Sequence, residues 1–170
     1  MDVIYFTKNG YDLFLAKLSA KREEYQNVRN ERAEALKEST ESDLNDPVLV
    51  DLQQRESSLS VMINELEKTL VQSIVIEFDP ENRSVDQVKI GSLVEILRVN
   101  VTADKELPIE LWEIAGHEET NIKERLLSYN SPIGKCLVGG SEGDVISNVI
   151  IGDQEFEIEI VRLYKNWTSV

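Results

Sequence analysis

The hydrophobic period changes once along this chain, and that change limits what the chain can fold into. Tyr11, Phe14, Leu18, Lys21, Tyr25, Val28, Arg32 and Ala35 follow one another at alternating spacings of three and four. The same spacing returns in Leu49, Leu52, Glu56, Leu59, Ile63 (or Met62), Leu66 and Leu70. A heptad seam of this kind packs one helix against one partner. Thr7 stands where it can cap the first helix, and no Gly or Pro interrupts residues 11–46. Two such segments joined by a short polar loop predict an antiparallel helical hairpin. At about 1.5 Å per residue, helices of roughly 30 residues would be on the order of 40–45 Å long. Lys21, Arg32 and Glu56 dilute the seam, so the hairpin is expected to be the less stable part of the molecule.

From Gln72 the period becomes two. Residues 73–78 read as a strand, followed by segments at 88–101 (split by Gly91), 107–115, 144–151 and 154–164. In the last of these Phe156, Ile158, Ile160 and Arg162 alternate with Glu155, Glu157, Glu159 and Val161, as expected of a strand with one covered face. Residues 118–126 and 131–138 read as short helices. Ser131 makes a suitable N-cap, Pro132 a first helical residue and Gly139 a terminator. The expected class is α+β: a coiled-coil hairpin over 1–75, with its tip near 41–47, followed by a domain over 76–170 built on a mainly antiparallel sheet.

A net charge of −14 opposes general binding to nucleic acid, because affinity for phosphates comes from Lys and Arg. The charge is spread along the chain: residues 1–75 carry 9 basic and 14 acidic side chains, and residues 76–170 carry 9 and 18. A partner with basic surfaces is expected, not naked DNA read by sequence. No apolar run approaches the roughly 18 residues of a membrane span, and no signal-peptide pattern is seen. The single Cys136 fits a reducing compartment, so a cytoplasmic location and no membrane association are expected.

One stretch is more specific. Ser128-Tyr-Asn-Ser-Pro-Ile-Gly-Lys-Cys-Leu-Val-Gly-Gly-Ser-Glu-Gly-Asp144 resembles a run of the bacterial Gre transcript-cleavage factors, S-x-x-S-P-[IL]-[AG]-x-x-L-[ILM]-G-[KR]-x-x-G-D. Gly140 stands where that family usually has a basic residue. Ile114-Ala-Gly116 followed by Glu118-Glu119, and Thr7, Gly10 and the leucines of the first helix, also fit the family. The resemblance extends over essentially the whole chain. It implies an N-terminal antiparallel coiled coil and an FKBP-like C-terminal domain. It also implies a partner, bacterial RNA polymerase, whose secondary channel the hairpin enters, with indirect contact to backtracked RNA. The chain would then be an accessory factor and not an enzyme, with no cofactor of its own beyond the Mg²⁺ of the polymerase active site.

The residues at stake lie in the turn 38–56, "ESTESDLNDPVLVDLQQRE", which carries Glu38, Glu41, Asp43 and Asp46. The family's tip resembles G-D-L-K-E-N-A-E-Y, where an Asp and a Glu act. Asp43 and Leu44 match it, and Asp46 stands in place of the Glu. Ser42, Asn45, Pro47, Val48, Leu49 and Val50 depart from it. Hydrolysis of a phosphodiester by a polymerase uses two Mg²⁺ ions, which take hard oxygen ligands. By the resemblance, Asp43 and Asp46 would help hold the weaker ion. Asp withdraws the carboxylate by one C–C bond relative to Glu, and displacements near 1 Å can cost roughly 10²-fold in rate. Two readings therefore stay open. Either the tip assists cleavage, or the chain occupies the channel without it and regulates transcription. A plainer account of the same residues is a loop with Asp46 capping a helix that starts at Pro47.

Other candidates are weaker. His117 is the only histidine, so no histidine metal cluster or Ser–His–Asp triad can form, and it is expected at the surface of a turn. Residues 139–143 lack the ending of a phosphate loop. Cys136 is expected in the core. An FKBP-like fold invites a prolyl-isomerase reading, but Trp112, Tyr129, Phe156, Tyr164 and Trp167 make a poor aromatic pocket.

Overall fold

The computed structural model describes residues 3–38 and 46–169. It divides into two compact units, Met1–Ile4 with Tyr11–Ser73, and Tyr5–Gly10 with Ile74–Val170.

The first unit is the predicted hairpin. Helix α1 spans Lys8–Glu38 and α2 spans Pro47–Val71. Val28, Leu52 and Leu59 form its buried cluster, with Tyr25 and Ala35 packed against them. Arg22 pairs with Glu67 and Arg32 with Glu56, so position rises on one helix as it falls on the other, and the helices are antiparallel. Every seam residue named above is buried or half-buried; Ile63 takes the ambiguous position and Met62 is exposed. Heptad spacing alone was enough to mark this face, because a helix with one neighbour has only one stripe to hide.

Strand β1 (Ile4–Thr7) pairs with β2 (Ser73–Ile76) in a two-stranded sheet. The larger sheet contains β3 (Leu93–Asn100), β4 (Lys105–Glu106), β5 (Glu110–Ala115), β6 (Leu126–Ser128), β7 (Val145–Ile151) and β8 (Gln154–Tyr164). Its order is β6-β5-β3-β8-β7, with β4 beside β3; only β5–β6 is parallel. Helix α3 (Pro132–Leu137) lies against this sheet, and Val94, Ile96, Ile114, Leu137, Phe156, Ile158 and Ile160 form the core. The class is therefore the expected one, two long helices followed by a mainly antiparallel sheet.

Four local expectations change. Strand β1 is too short to show a period. Residues 118–126 are not a helix. Asn121 exchanges backbone hydrogen bonds with Leu126 in both directions at 2.9 Å, and its Oδ1 accepts from Lys123 N and Glu124 N. Glu118 and Arg125 take positive φ, and the side-chain and loop bonds displace the helical ladder. The chain then enters β6 instead.

Third, Arg162 does not face the core. A register shift at Glu95/Ile96 places Leu163 inward and leaves Arg162 exposed opposite Glu95. Fourth, His117 is half-buried, not a surface residue. Its ring lies edge-on to Phe6 at 5.5 Å, and its Nδ1 is 2.8 Å from Asn130 Nδ2.

The start of α1 is capped from a distance. Thr7 Oγ1 accepts from Gly10 N at 3.1 Å, the ordinary N-cap bond. In a capping box the third helical residue returns the bond through a Glu side chain. Here that residue is Gly10, and the carboxylate comes from Glu119. Glu119 Oε1 accepts from Thr7 N at 2.9 Å, and Oε2 from Thr7 Oγ1 at 2.6 Å. A Cβ on Gly10 would lie 1.9 Å from Glu119 Oε1, so the glycine makes room for the remote cap.

Candidate functional site

Two places were singled out by the sequence, the start of α2 and the run 128–144. At the start of α2, Asp46 (φ −57°, ψ 124°) is the N-cap, and its Oδ1 accepts from Val48 N at 2.8 Å. Pro47 follows at the first helical position, where its missing N–H costs nothing. Val48 and Val50 on the same first turn are exposed. Asp43 lies outside the described residues, as does the rest of 39–45, so the Asp43–Asp46 pair has no measured geometry. Asp46 offers the hard oxygen donor that Mg²⁺ takes, with one of its two oxygens already engaged in the cap. Among the described residues no three His, Cys, Asp or Glu side chains converge into a metal-binding group.

The run 128–144 folds into a strand end, a capped helix and a turn. Buried Ser128 has its Oγ at hydrogen-bond distance from Gly116 O and at 2.6 Å from Asn130 Oδ1. Asn130 in turn holds His117. Ser131 Oγ accepts from Gly134 N at 3.0 Å, closing the N-terminus of α3 as its Ser-Pro sequence predicts. Gly134 packs directly on the strand: a Cβ there would lie 2.1 Å from Ser128 O. Gly139 ends the helix at φ +92°, donating to Val88 O. Ser141 N donates to Asp144 Oδ2 at 2.7 Å, which shapes the turn into β7. Ser128, Asn130, Ser131 and Asp144 of the motif thus have structural partners, while Pro132, Lys135 and Val138 stay exposed. Cys136 is half-buried against the core, its Sγ 3.2 Å from Pro132 O.

The second unit also holds an apolar cavity of about 620 Å³ lined by Tyr5, Ile76, Phe78, Ile90, Tyr129 and Val138. Of the five aromatics considered for a prolyl-isomerase pocket, Tyr129 alone lines it. Trp112 and Phe156 belong to the core, and Tyr164 and Trp167 hydrogen-bond to Glu95 and Glu113. Sequence reasoning passed over Glu119 as a capping residue. Its signal was Gly10 at a position where a capping box needs a side chain.

Residues 82–165 match the family model described as "Transcription elongation factor, GreA/GreB, C-term". The chain is 38% identical over 106 residues to transcription elongation factor GreA of Helicobacter hepaticus, covering 62% of this chain and 61% of that protein. It is 36% identical over 110 residues to GreA of Acidiphilium cryptum, covering 64% and 66%. The matched stretch thus spans under two thirds of the length of these relatives. Among solved structures, the transcription factor Gfh1 aligns over 96% of this chain and 98% of its own, at 23% identity and a TM-score of 0.43. The fold with its 128–144 motif is that of an elongation-factor C-terminal domain. Residues 82–165 belong to the GreA/GreB C-terminal domain family, and the longer matched stretch is similar to transcription elongation factors GreA.

Proposed function

We propose that this chain is a Gre-like factor of bacterial RNA polymerase. The domain over 76–170 docks on the polymerase, and the hairpin over 1–75 enters the secondary channel with residues 41–47 foremost. The observation that carries this reading is the family match over residues 82–165, joined to relatives that are themselves named transcription elongation factors. The antiparallel pairing of α1 and α2 supports it, because a hairpin brings its turn to one end. The role is accessory, and the polymerase's own Mg²⁺ supplies the hydrolytic chemistry. Asp43 and Asp46 add carboxylates near backtracked RNA. A cytoplasmic location belongs to the same proposal; among the described residues no helix is long and apolar enough to cross a membrane.

A second reading is channel occupancy without cleavage, so that the factor inhibits or regulates transcription. The observation favouring it is Asp46, one methylene shorter than Glu and already capping α2 through Oδ1. RNA cleavage in stalled polymerase complexes separates the two. Under the first, the wild type accelerates cleavage, and Asp43→Asn lowers it by about tenfold or more while competition for the channel is kept. Under the second, the wild type adds no cleavage yet competes with an active Gre factor, and Asp46→Glu gains some. Absence of competition overturns both. Strong cleavage that Asp43→Asn leaves intact removes the carboxylates from the mechanism.

A further inference from the structure

Strand β7 is hydrogen-bonded to β8 on one side and, among the described residues, to no strand on the other. An open edge is a template for another chain, and proteins usually blunt it with Lys, Pro or a bulge. The sequence of β7, Val-Ile-Ser-Asn-Val-Ile-Ile, holds no charge and no proline. Val145 is 53% exposed and Ile150 61%. The one interruption is a register shift between Ile146 and Val149, where Asn148 takes φ +60°. It leaves two short straight runs, one on each side.

The two faces of β7 differ. Ile146, Val149 and Ile151 continue the core. Val145 is registered with Glu159 and Ile150 with Glu155, so these exposed side chains share a face with the β8 glutamates, Glu157 among them. Leu97 and Val99 of β3 flank the glutamates on the other side. No ion pair between described residues reaches Glu155, Glu157 or Glu159, and among the described residues their carboxylates make one hydrogen-bond contact, Ser147 Oγ at 3.5 Å from Glu157 Oε2. A strand added beyond β7 would lie two strand spacings from β8, about 9.6 Å, within the combined reach of Lys or Arg and Glu.

We propose that β7 receives a short extended segment of a basic partner protein as an additional strand. Its apolar residues would face the core side beside Ile146, Val149 and Ile151, and alternate Lys or Arg residues would reach the carboxylates of β8. A second copy of this chain fits poorly, because pairing β7 with β7 would bring two acidic faces together on molecules of net charge −14.

The test uses the full chain and a fluorescent peptide of about a dozen residues alternating Lys and Val, with a control in which Pro replaces each Val. The alternating peptide is expected to bind, to weaken as salt is raised, and to slow hydrogen exchange at β7 amides. The proline control, unable to donate from those positions, is expected not to bind. Glu157→Lys should weaken binding about tenfold, and Glu157→Gln, which keeps the shape, by less. Equal binding of the proline control, protection confined to residues outside β7, unchanged affinity in both Glu157 variants, or sedimentation showing a dimer that the peptide dissociates would each overturn the proposal.

Discussion

Arg32 Nη1 and Glu56 Oε2 meet at 2.8 Å on the seam between α1 and α2, with side chains 33% and 17% exposed. Tyr25 Oη lies 3.5 Å from Glu56 Oε1 on the same seam. Two of the three residues that break the heptad pattern therefore answer each other across the helices, while Lys21 pairs with Glu24 on its own helix. A polar pair on a seam penalises any slip of register that would leave one partner alone. Removing one member should cost about 1–2 kcal/mol, reduced from the buried-pair figure because both groups are partly wet. Replacing both by Leu should be neutral or stabilising. A double-mutant cycle read by denaturant unfolding of the helical signal checks this, and additive single losses would remove the coupling.

Residues 1–75 made alone should be only partly helical near room temperature. The buried cluster of the hairpin is Val28, Leu52 and Leu59, against a core of eleven buried side chains in the second unit. Circular dichroism of the fragment decides it, and a fully helical, cooperatively melting peptide would contradict the expectation.

Glu119→Ala should destabilise the chain by about 1–2 kcal/mol, because it removes two hydrogen bonds at the N-cap of α1. Gly10→Glu alone should be worse, since its Cβ falls on the Glu119 carboxylate. The two changes together should recover stability, as the new Glu at the third helical position restores an ordinary capping box. Thermal unfolding of the three variants tests the exchange. A double variant no better than Gly10→Glu would defeat the remote-cap account.

Tyr164 should titrate late. Desolvation raises its phenol above the ordinary value, and the hydrogen bond to Glu95 and that carboxylate's charge add to the effect. A group raised on folding contributes stability that is present below the unfolded pKa and lost as pH rises through the folded one. Stability should therefore fall on the alkaline side, above the ordinary tyrosine range. Phenolate absorbance and unfolding followed together should show the last-titrating tyrosine missing from Tyr164→Phe and the alkaline loss reduced. An unchanged alkaline limb in that variant would assign the loss elsewhere.

Much of this fold could be read in advance because its signals are local and periodic. Each seam residue of α1 and α2 was identified by spacing, and Ser131-Pro132 and Gly139 marked α3 at both ends, because caps and stops act on neighbouring backbone groups. The start of α2 at Asp46-Pro47 was legible for the same reason. Asp43 and Asp46 were singled out by resemblance, and of the pair the structure describes only Asp46, as a cap.

Position in space decided the rest. Residues 118–126 carry no Gly or Pro to forbid a helix, yet the Asn121–Leu126 pairing and the entry into β6 turn them into a loop. Leu163 and not Arg162 faces the core because β3 and β8 slip register at Glu95/Ile96. Glu119 completes a cap 112 residues away in sequence. By itself the sequence determined where helices begin, end and hide one stripe, since those choices are made over a few residues. Tertiary structure decided which carboxylate reaches which amide and which edge is left open, because those depend on contacts between segments distant in the chain.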